Sequence, residues 1–465
     1  MIDKRVVYIA SLGLLGSLIY AFNFKLHGIL LKRGFLGPGI ELRSFFLYQY
    51  VALGILYLVG IIIVFRHGRF KTNSPVLLYI ILFFGLIYRL FLLPPQPMLS
   101  SDMYRYIWDG RVQSHGINPY RYPPNHEALE KLRDDAIYPN INRKGSPTIY
   151  PAGAQVLFYL INRIGVRSVV AFKGVTTLFD MGSILLLVMI LTNIGLHRER
   201  VLVYAWNPLV IYELANNGHM DGFVVFFFLL SLWFLVRERP NAAVSILAVA
   251  ASLKLYPLII LPAILKTKRF RRLLLFIGIF FLLYVPYLSA GRKVLGFLPE
   301  YLTNPHETFN LGLSAYLVKF FPVLDHVFIT KLFAVALIIA AGVVWIKKKR
   351  DSIDSIRFAY VLVGLQLALT SASLHPWYVL WIIPFLCLFP SPAWLYLSLL
   401  VPFSYLKYES PQGIFPEWVR HIEYIPFFIL IAMEFIAFQW SSRVRFPLRL
   451  KGERASENLQ EVPAQ

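Results

Sequence analysis

Residues 75–102 read PVLLYIILFFGLIYRLFLLPPQPMLSSD: an apolar run, interrupted once by Arg89, that stops at two prolines and opens onto a polar loop headed by Asp102. As a helix rising about 1.5 Å per residue, such a run crosses the roughly 30 Å core of a bilayer. Comparable runs recur to the end of the chain. We read about twelve spans, near 6–22, 45–65, 75–93, 168–191, 201–215, 222–236, 273–288, 327–346, 357–374, 377–389, 392–406 and 423–440. The expected fold class is therefore an all-α integral membrane protein.

Composition agrees. In 465 residues, 57% are hydrophobic and 15% charged, and the mean hydropathy is +0.61; a chain this apolar must turn side chains toward lipid. The first run follows Met-Ile-Asp-Lys-Arg and lacks a small-residue cleavage site, so it reads as a retained helix and not a signal peptide. Cys387 is the lone cysteine, which excludes a disulfide framework.

The net charge of +21 is concentrated in short loops: Arg66, Arg69 and Lys71, then Lys266, Lys268, Arg269, Arg271 and Arg272, then Lys347 to Arg350. By the positive-inside rule these loops are cytoplasmic, and the basic tail after Arg443 places both termini inside. Anionic headgroups account for the clusters, so no nucleic-acid partner is expected. Residues 94–150 fall outside, with near-balanced charge: seven Lys/Arg against six acids. Residues 23–44 run against the rule, since Lys25, Lys32, Arg33 and Arg43 meet only Glu41; the other loops decide the assignment. The organisation expected is one polytopic domain over 1–445, carrying the external loop 94–150, and a disordered cytoplasmic tail over 446–465.

The external loop has enough apolar content to pack, in Trp108 and Ile107, Ile117, Ile137 and Ile141. The spacing of Tyr104, Ile107, Trp108 and Arg111 predicts a helix over 103–114 lying at the membrane surface. Two short runs, 242–253 and 255–265, meet at Lys254-Leu255-Tyr256-Pro257 and read as a re-entrant pair entered from the cytoplasm.

At the mouth of the third span Asp102 has two readings. It is a general base placed where a lipid headgroup meets an aqueous acceptor, or it caps the helix that follows. His219 and Asp221, in a tight external turn over 216–222, either orient an acceptor or bind a cation beside a phosphate, or merely solubilise the turn. His375 precedes Pro376-Trp377-Tyr378, where an interfacial aromatic belt explains the rings without function. Arg89 reads first as an arginine snorkelling to the outer headgroups, while Lys173 and Asp180, seven residues apart on one helix face, suggest a polar groove. No cofactor is expected, and no metal-ligand constellation is present in the sequence.

The segment SDMYRYIWDGRVQSHGINPYRYPP at 101–124, with SPTIYP at 146–151, resembles the first external loop of the GT-C superfamily of membrane glycosyltransferases. It is closest to the bacterial polyprenyl-phosphomannose-dependent mannosyltransferases and the glycosyltransferase family 87 group. Asn217-Gly218-His219-Met220-Asp221-Gly222, Lys254-Leu255-Tyr256-Pro257 and His375-Pro376-Trp377-Tyr378 extend the resemblance over most of the chain. It implies transfer of a sugar, most readily mannose, from a polyprenyl-phosphate-linked donor to a glycan or lipid acceptor on the non-cytoplasmic face of a plasma or inner membrane. Asp102 is then the catalytic residue. Arg105, Asp109, Asn118, Tyr120 and Tyr150 from the loop, with His219, Asp221, Lys254, Tyr256 and His375, are the substrate-binding candidates. The rivals are another lipid-phosphate sugar on the same fold and a polytopic transporter.

Overall fold

The computed structural model describes residues 3–32, 42–66, 74–265, 268–303, 309–347, 351–369, 373–410 and 413–441. The tail 446–465, residues 33–41 of the loop 23–44 and much of the basic clusters at 69–71, 266 and 348–350 lie outside the described residues. Among these residues the chain is all helical, apart from one isolated bridge between Phe309 and Ser373.

Six helices organise the first half: α1 (Lys4–Lys32), α2 (Leu42–Arg66), α3 (Pro75–Leu92), α4 (Asp102–Ser114), α5 (Ala152–Arg163) and α6 (Val169–Asn193). Their ends follow local chemistry. Ser74 accepts from the Leu77 N–H with Pro75 in the first turn of α3, and Ser168 does the same for Ala171 at the start of α6. Among the described residues, five helices are long and apolar enough to cross a membrane, or up to seven if each of two bent pairs is one span. The bent pairs are Pro208–Asn216 with Asp221–Val236, at 119°, and Arg269–Leu282 with Val285–Glu300, at 85°.

Helical segments occur at all twelve positions expected, but many are short and broken. Proline sets several breaks: Pro257, Pro376 and Pro402 each open a 3-10 turn, the first two at junctions between expected runs and the third inside the expected span 392–406. The helix α5 was not foreseen, because its polar Gln155, Asn162 and Arg163 dilute its hydropathy. In α1 the helix continues ten residues past the expected end, to Lys32.

Around an apolar core, burial departs from that of a water-soluble protein in two ways. Leu14, Leu18, Ile55, Phe83, Leu178, Leu185 and Ile338 are exposed, while Arg89, Lys173 and Asp180 are buried. With no water in a hydrocarbon layer to solvate them, ionisable groups turn inward to partners. This corrects the expectation for Arg89: it does not snorkel but donates from Nε to Asp180 Oδ2 at 2.6 Å, with both side chains 0% exposed. Tyr204 donates to the other oxygen of Asp180 at 2.9 Å.

The loop 94–150 packs as expected. Trp108, Leu129, Ile137 and Ile141 are buried, and two 3-10 turns, Glu127–Leu132 and Tyr138–Asn140, tie it down. Burial alone would raise the Asp134 carboxyl; instead, Arg111 at 2.6 Å and the N–H groups of Tyr138 and Ile137 hold it down at about 2. Helix α4 lies against α5 at Gly110, where a Cβ would sit 2.4 Å from the Phe158 carbonyl oxygen. Gly110→Ala should therefore cost about 1–3 kcal/mol through overpacking. Thermal unfolding of the detergent-solubilised protein measures this, and an unchanged midpoint would show the contact to be slack.

Candidate active site

A single strip of backbone delivers Asp102. After α3, the Lys173 ammonium donates to the carbonyls of Leu92 and Leu93 at 2.8 Å and of Pro95 at 2.5 Å, satisfying helix-end acceptors that have no partner within α3. Asn217 Oδ1 accepts from the Leu99 N–H at 3.2 Å, and Asn216 Nδ2 donates to Gln96 O at 3.4 Å. Asp102 then opens α4. Its carboxylate does not cap that helix: Asn142 Nδ2 donates to Asp102 Oδ1 at 2.7 Å, and Ser100 Oγ accepts from the Asp102 N–H at 3.2 Å.

Asp102 is half-buried and lines a cavity of about 1010 Å³. Arg105, Asn142, Arg143 and Tyr150 come to it from the external loop, Lys254 and Tyr256 from the break after the Pro240–Leu253 helix, His375 to Trp381 from the proline-led turn, and Lys407 from the segment before α-helix Glu417–Ser441. Asp102 is the one acidic residue among the described lining residues, against four cations: Arg105, Arg143, Lys254 and Lys407.

Six of the eleven residues singled out in the sequence thus converge: Asp102, Arg105, Tyr150, Lys254, Tyr256 and His375. The other five stand behind the wall. Asp109 is buried, pairs with Arg105 Nε at 2.7 Å and accepts from Gln155 Nε2 at 2.9 Å. Asn118 donates to Tyr287 O at 3.1 Å and to Ser289 Oγ at 3.0 Å. The Tyr120 hydroxyl donates to Tyr150 O at 2.7 Å.

The turn at 216–222 departs from expectation. Asn216, Asn217, His219 and Asp221 are buried, so none of them serves to solubilise a turn. Glu213, on a short π-helical stretch Tyr212–Asn216, explains why: it accepts from Asn217 at 2.9 Å and Tyr405 at 2.7 Å, and its Oε2 lies 3.3 Å from His219 Nε2. Asp221 accepts from Lys254 Nζ at 2.9 Å on both oxygens and from Trp381 Nε1 at 2.7 Å. Lys254 is thus paired within the protein, and it also lies over the rings of Tyr378, at 4.9 Å, and Trp381, at 5.5 Å.

Sequence reasoning missed Asn142, Arg143, Trp381 and Lys407. Lys407 follows directly on an expected span, where a lysine reads as an interface anchor. Trp377 and Tyr378 were assigned to an aromatic belt, yet they line the cavity, and Trp377 is buried between His375 and His219, at ring distances of 4.3 and 4.2 Å. His375 is driven down to about 3, first by burial and then by Lys254, His219, Lys407 and Arg143, so its ring is neutral at physiological pH.

Apolar-faced helices around a cavity lined by both charged and aromatic side chains define a membrane protein with a site for a ligand that is part polar and part apolar. Residues 10–268 match the MptA_B family, described as alpha-(1->6)-mannopyranosyltransferase, N-terminal domain, and the chain belongs to this family of GT-C-type mannosyltransferases. It is thus a glycosyltransferase, with a sugar donor and an acceptor as its partners; the transporter reading is set aside. The matched span carries Asp102, Arg105, Tyr150, Lys254 and Tyr256, while His375 and Lys407 lie beyond it. No curated protein and no solved structure matches the chain.

Proposed function

We propose that the protein transfers mannose from a polyprenyl phosphate to a glycan or lipid acceptor at the non-cytoplasmic face of the membrane, with Asp102 as general base. The observation that carries this reading is the cavity's lining: Asp102, the one carboxylate among the described lining residues, shares it with Arg143 and Lys407 and with Arg105 and Lys254, whose charges Asp109 and Asp221 offset from behind. Asp102 takes the proton of an acceptor hydroxyl, whose oxygen attacks the anomeric carbon. The bond from that carbon to the phosphate oxygen breaks, and the negative charge gathering on the leaving lipid phosphate is stabilised by arginine and lysine. Asn142, donating to one oxygen of Asp102, holds the carboxylate in place.

Direct displacement inverts the anomeric centre, so an α-linked product requires a β-linked donor. The family's description, α-(1→6) transfer, supports the α-linked product. The topology that goes with the proposal has about twelve spans and a re-entrant pair at 242–265, with Lys254 at its apex, in the arrangement of the GT-C enzymes. The short Pro240–Leu253 helix and the break that follows it support the re-entrant pair.

Purified protein given β-linked polyprenyl-phosphomannose and a panel of mannoside and lipid acceptors should form an α-mannosyl product. Turnover with a nucleotide-linked mannose alone would overturn the lipid donor. For sidedness, His115→Cys and Glu130→Cys, both at exposed positions, in a Cys387→Ala background should react with an impermeant maleimide on intact cells. Labelling only after permeabilisation would place the site on the wrong face.

A further inference from the structure

Two ring stacks form one wall of the cavity. In the first, Phe309 stacks on His375 with centroids 4.5 Å apart, and His375 on Trp377 at 4.3 Å. In the second, Tyr378 stacks on Trp381 at 4.7 Å, and Trp381 on Tyr256 at 3.7 Å and 7°. Tyr378 joins the two, its ring 5.4 Å from that of His375. Rings on either side cover both faces of His375 and of Trp381, so neither offers an open platform on which a sugar could stack. What His375 and Trp381 have left for a ligand is their ring edges.

Two polar atoms of these stacks have no protein partner. The Tyr256 hydroxyl and His375 Nδ1 are buried and make no hydrogen bond among the described residues, although both residues line the cavity. Buried polar atoms are rarely left unsatisfied, and where they are a ligand is a frequent reason. We propose that His375 and Tyr256 form a hydroxyl-reading edge that binds the pyranose ring of a substrate, apart from the cations that hold its phosphate. This rests on the reading of the cavity as a mannosyl-transfer site and assigns the sugar to one part of it.

The chemistry of the two groups suits that division. A neutral imidazole offers one donor and one acceptor, and a tyrosine hydroxyl does likewise, which matches sugar hydroxyls. Burial and the cations nearby keep His375 neutral, so it brings no charge to a phosphate. The stacking fixes both rings, so little freedom is lost when they bind.

The test uses full-length protein in detergent and calorimetric binding of three probes: a polyprenyl phosphate without sugar, the same lipid carrying β-mannose, and free α-1,6-mannobiose. Tyr256→Phe and His375→Phe keep the stacked rings and remove the polar atoms. Each variant should bind the bare lipid phosphate as wild type does and a mannose-bearing probe about 2- to 12-fold more weakly. Loss confined to the mannosyl lipid assigns the edge to the donor sugar, and loss confined to mannobiose assigns it to the acceptor. Equal weakening toward bare lipid phosphate, unchanged binding of both sugars, or no mannose-bearing ligand bound by wild type would overturn the proposal. Should wild type bind mannobiose but neither lipid, with the variants weakened, the lipid donor fails while the hydroxyl-reading edge stands.

Discussion

Asp102→Asn should lower turnover by about 100-fold to 10,000-fold while leaving donor binding near wild type, the range expected when a general base is lost. The amide keeps the size of the carboxylate and can still meet Asn142, the partner of Asp102 Oδ1, after a flip, so folding should survive. A base acts only as the acceptor is deprotonated, so the loss belongs in turnover and not in affinity. Asp109 is the contrast. It lies seven residues on, is buried outside the cavity lining and neutralises Arg105 at 2.7 Å. Asp109→Asn should weaken donor binding and stability by loosening Arg105, with a smaller fall in turnover. Steady-state kinetics on both variants, with calorimetric donor binding, decides between them. Near-normal turnover in Asp102→Asn with loss in Asp109→Asn would identify the other carboxylate, and full activity in both would remove the base from the mechanism.

Hydrophobic runs made the helical class and the positions of the elements legible, because a lipid-facing helix must be apolar over its whole length and loops need not be. The same criterion was blind to α5, which packs its polar face inward against α4, and to the proline-led turns at 256–260, 376–381 and 401–408. There the run stays apolar while the backbone leaves the α-helix. The motifs at 101–151, 217–222, 254–257 and 375–378 pointed to the right neighbourhood. They could not separate residues facing the cavity from those behind it. Asp221 and Lys254 show why: 33 positions apart, each looked like a lone charge, and the pairing exists only once the two breaks meet. Asn142 and Lys407 carried no pattern at all. Their role arises from tertiary placement beside Asp102 and Phe309.

Breaking the Arg89–Asp180 pair should have the largest effect on stability. Both side chains are 0% exposed, and Arg89 NH1 also donates to Gly85 O and Ala205 O at 2.8 Å, tying α3 and the Leu202–Ala205 turn to α6 through one guanidinium. Arg89→Leu leaves the Asp180 carboxylate with the Tyr204 hydroxyl alone; Asp180→Leu leaves a buried guanidinium facing carbonyls. Each single change should cost about 3–5 kcal/mol, because the surviving charge is buried without its counter-ion. The double change, Arg89→Leu with Asp180→Leu, should cost less than the sum by up to about 3 kcal/mol, since no charge remains to be desolvated and leucine fits a lipid-embedded core. Denaturant unfolding of the three variants in mixed micelles, followed by tryptophan fluorescence, completes the cycle. Trp206 packs 5.5 Å from Tyr88, one residue from Arg89, and reports on the region directly. Additive losses, or single variants as stable as wild type, would mean that water or lipid headgroups reach the pair and that α3 and α6 are held together by their apolar contacts alone.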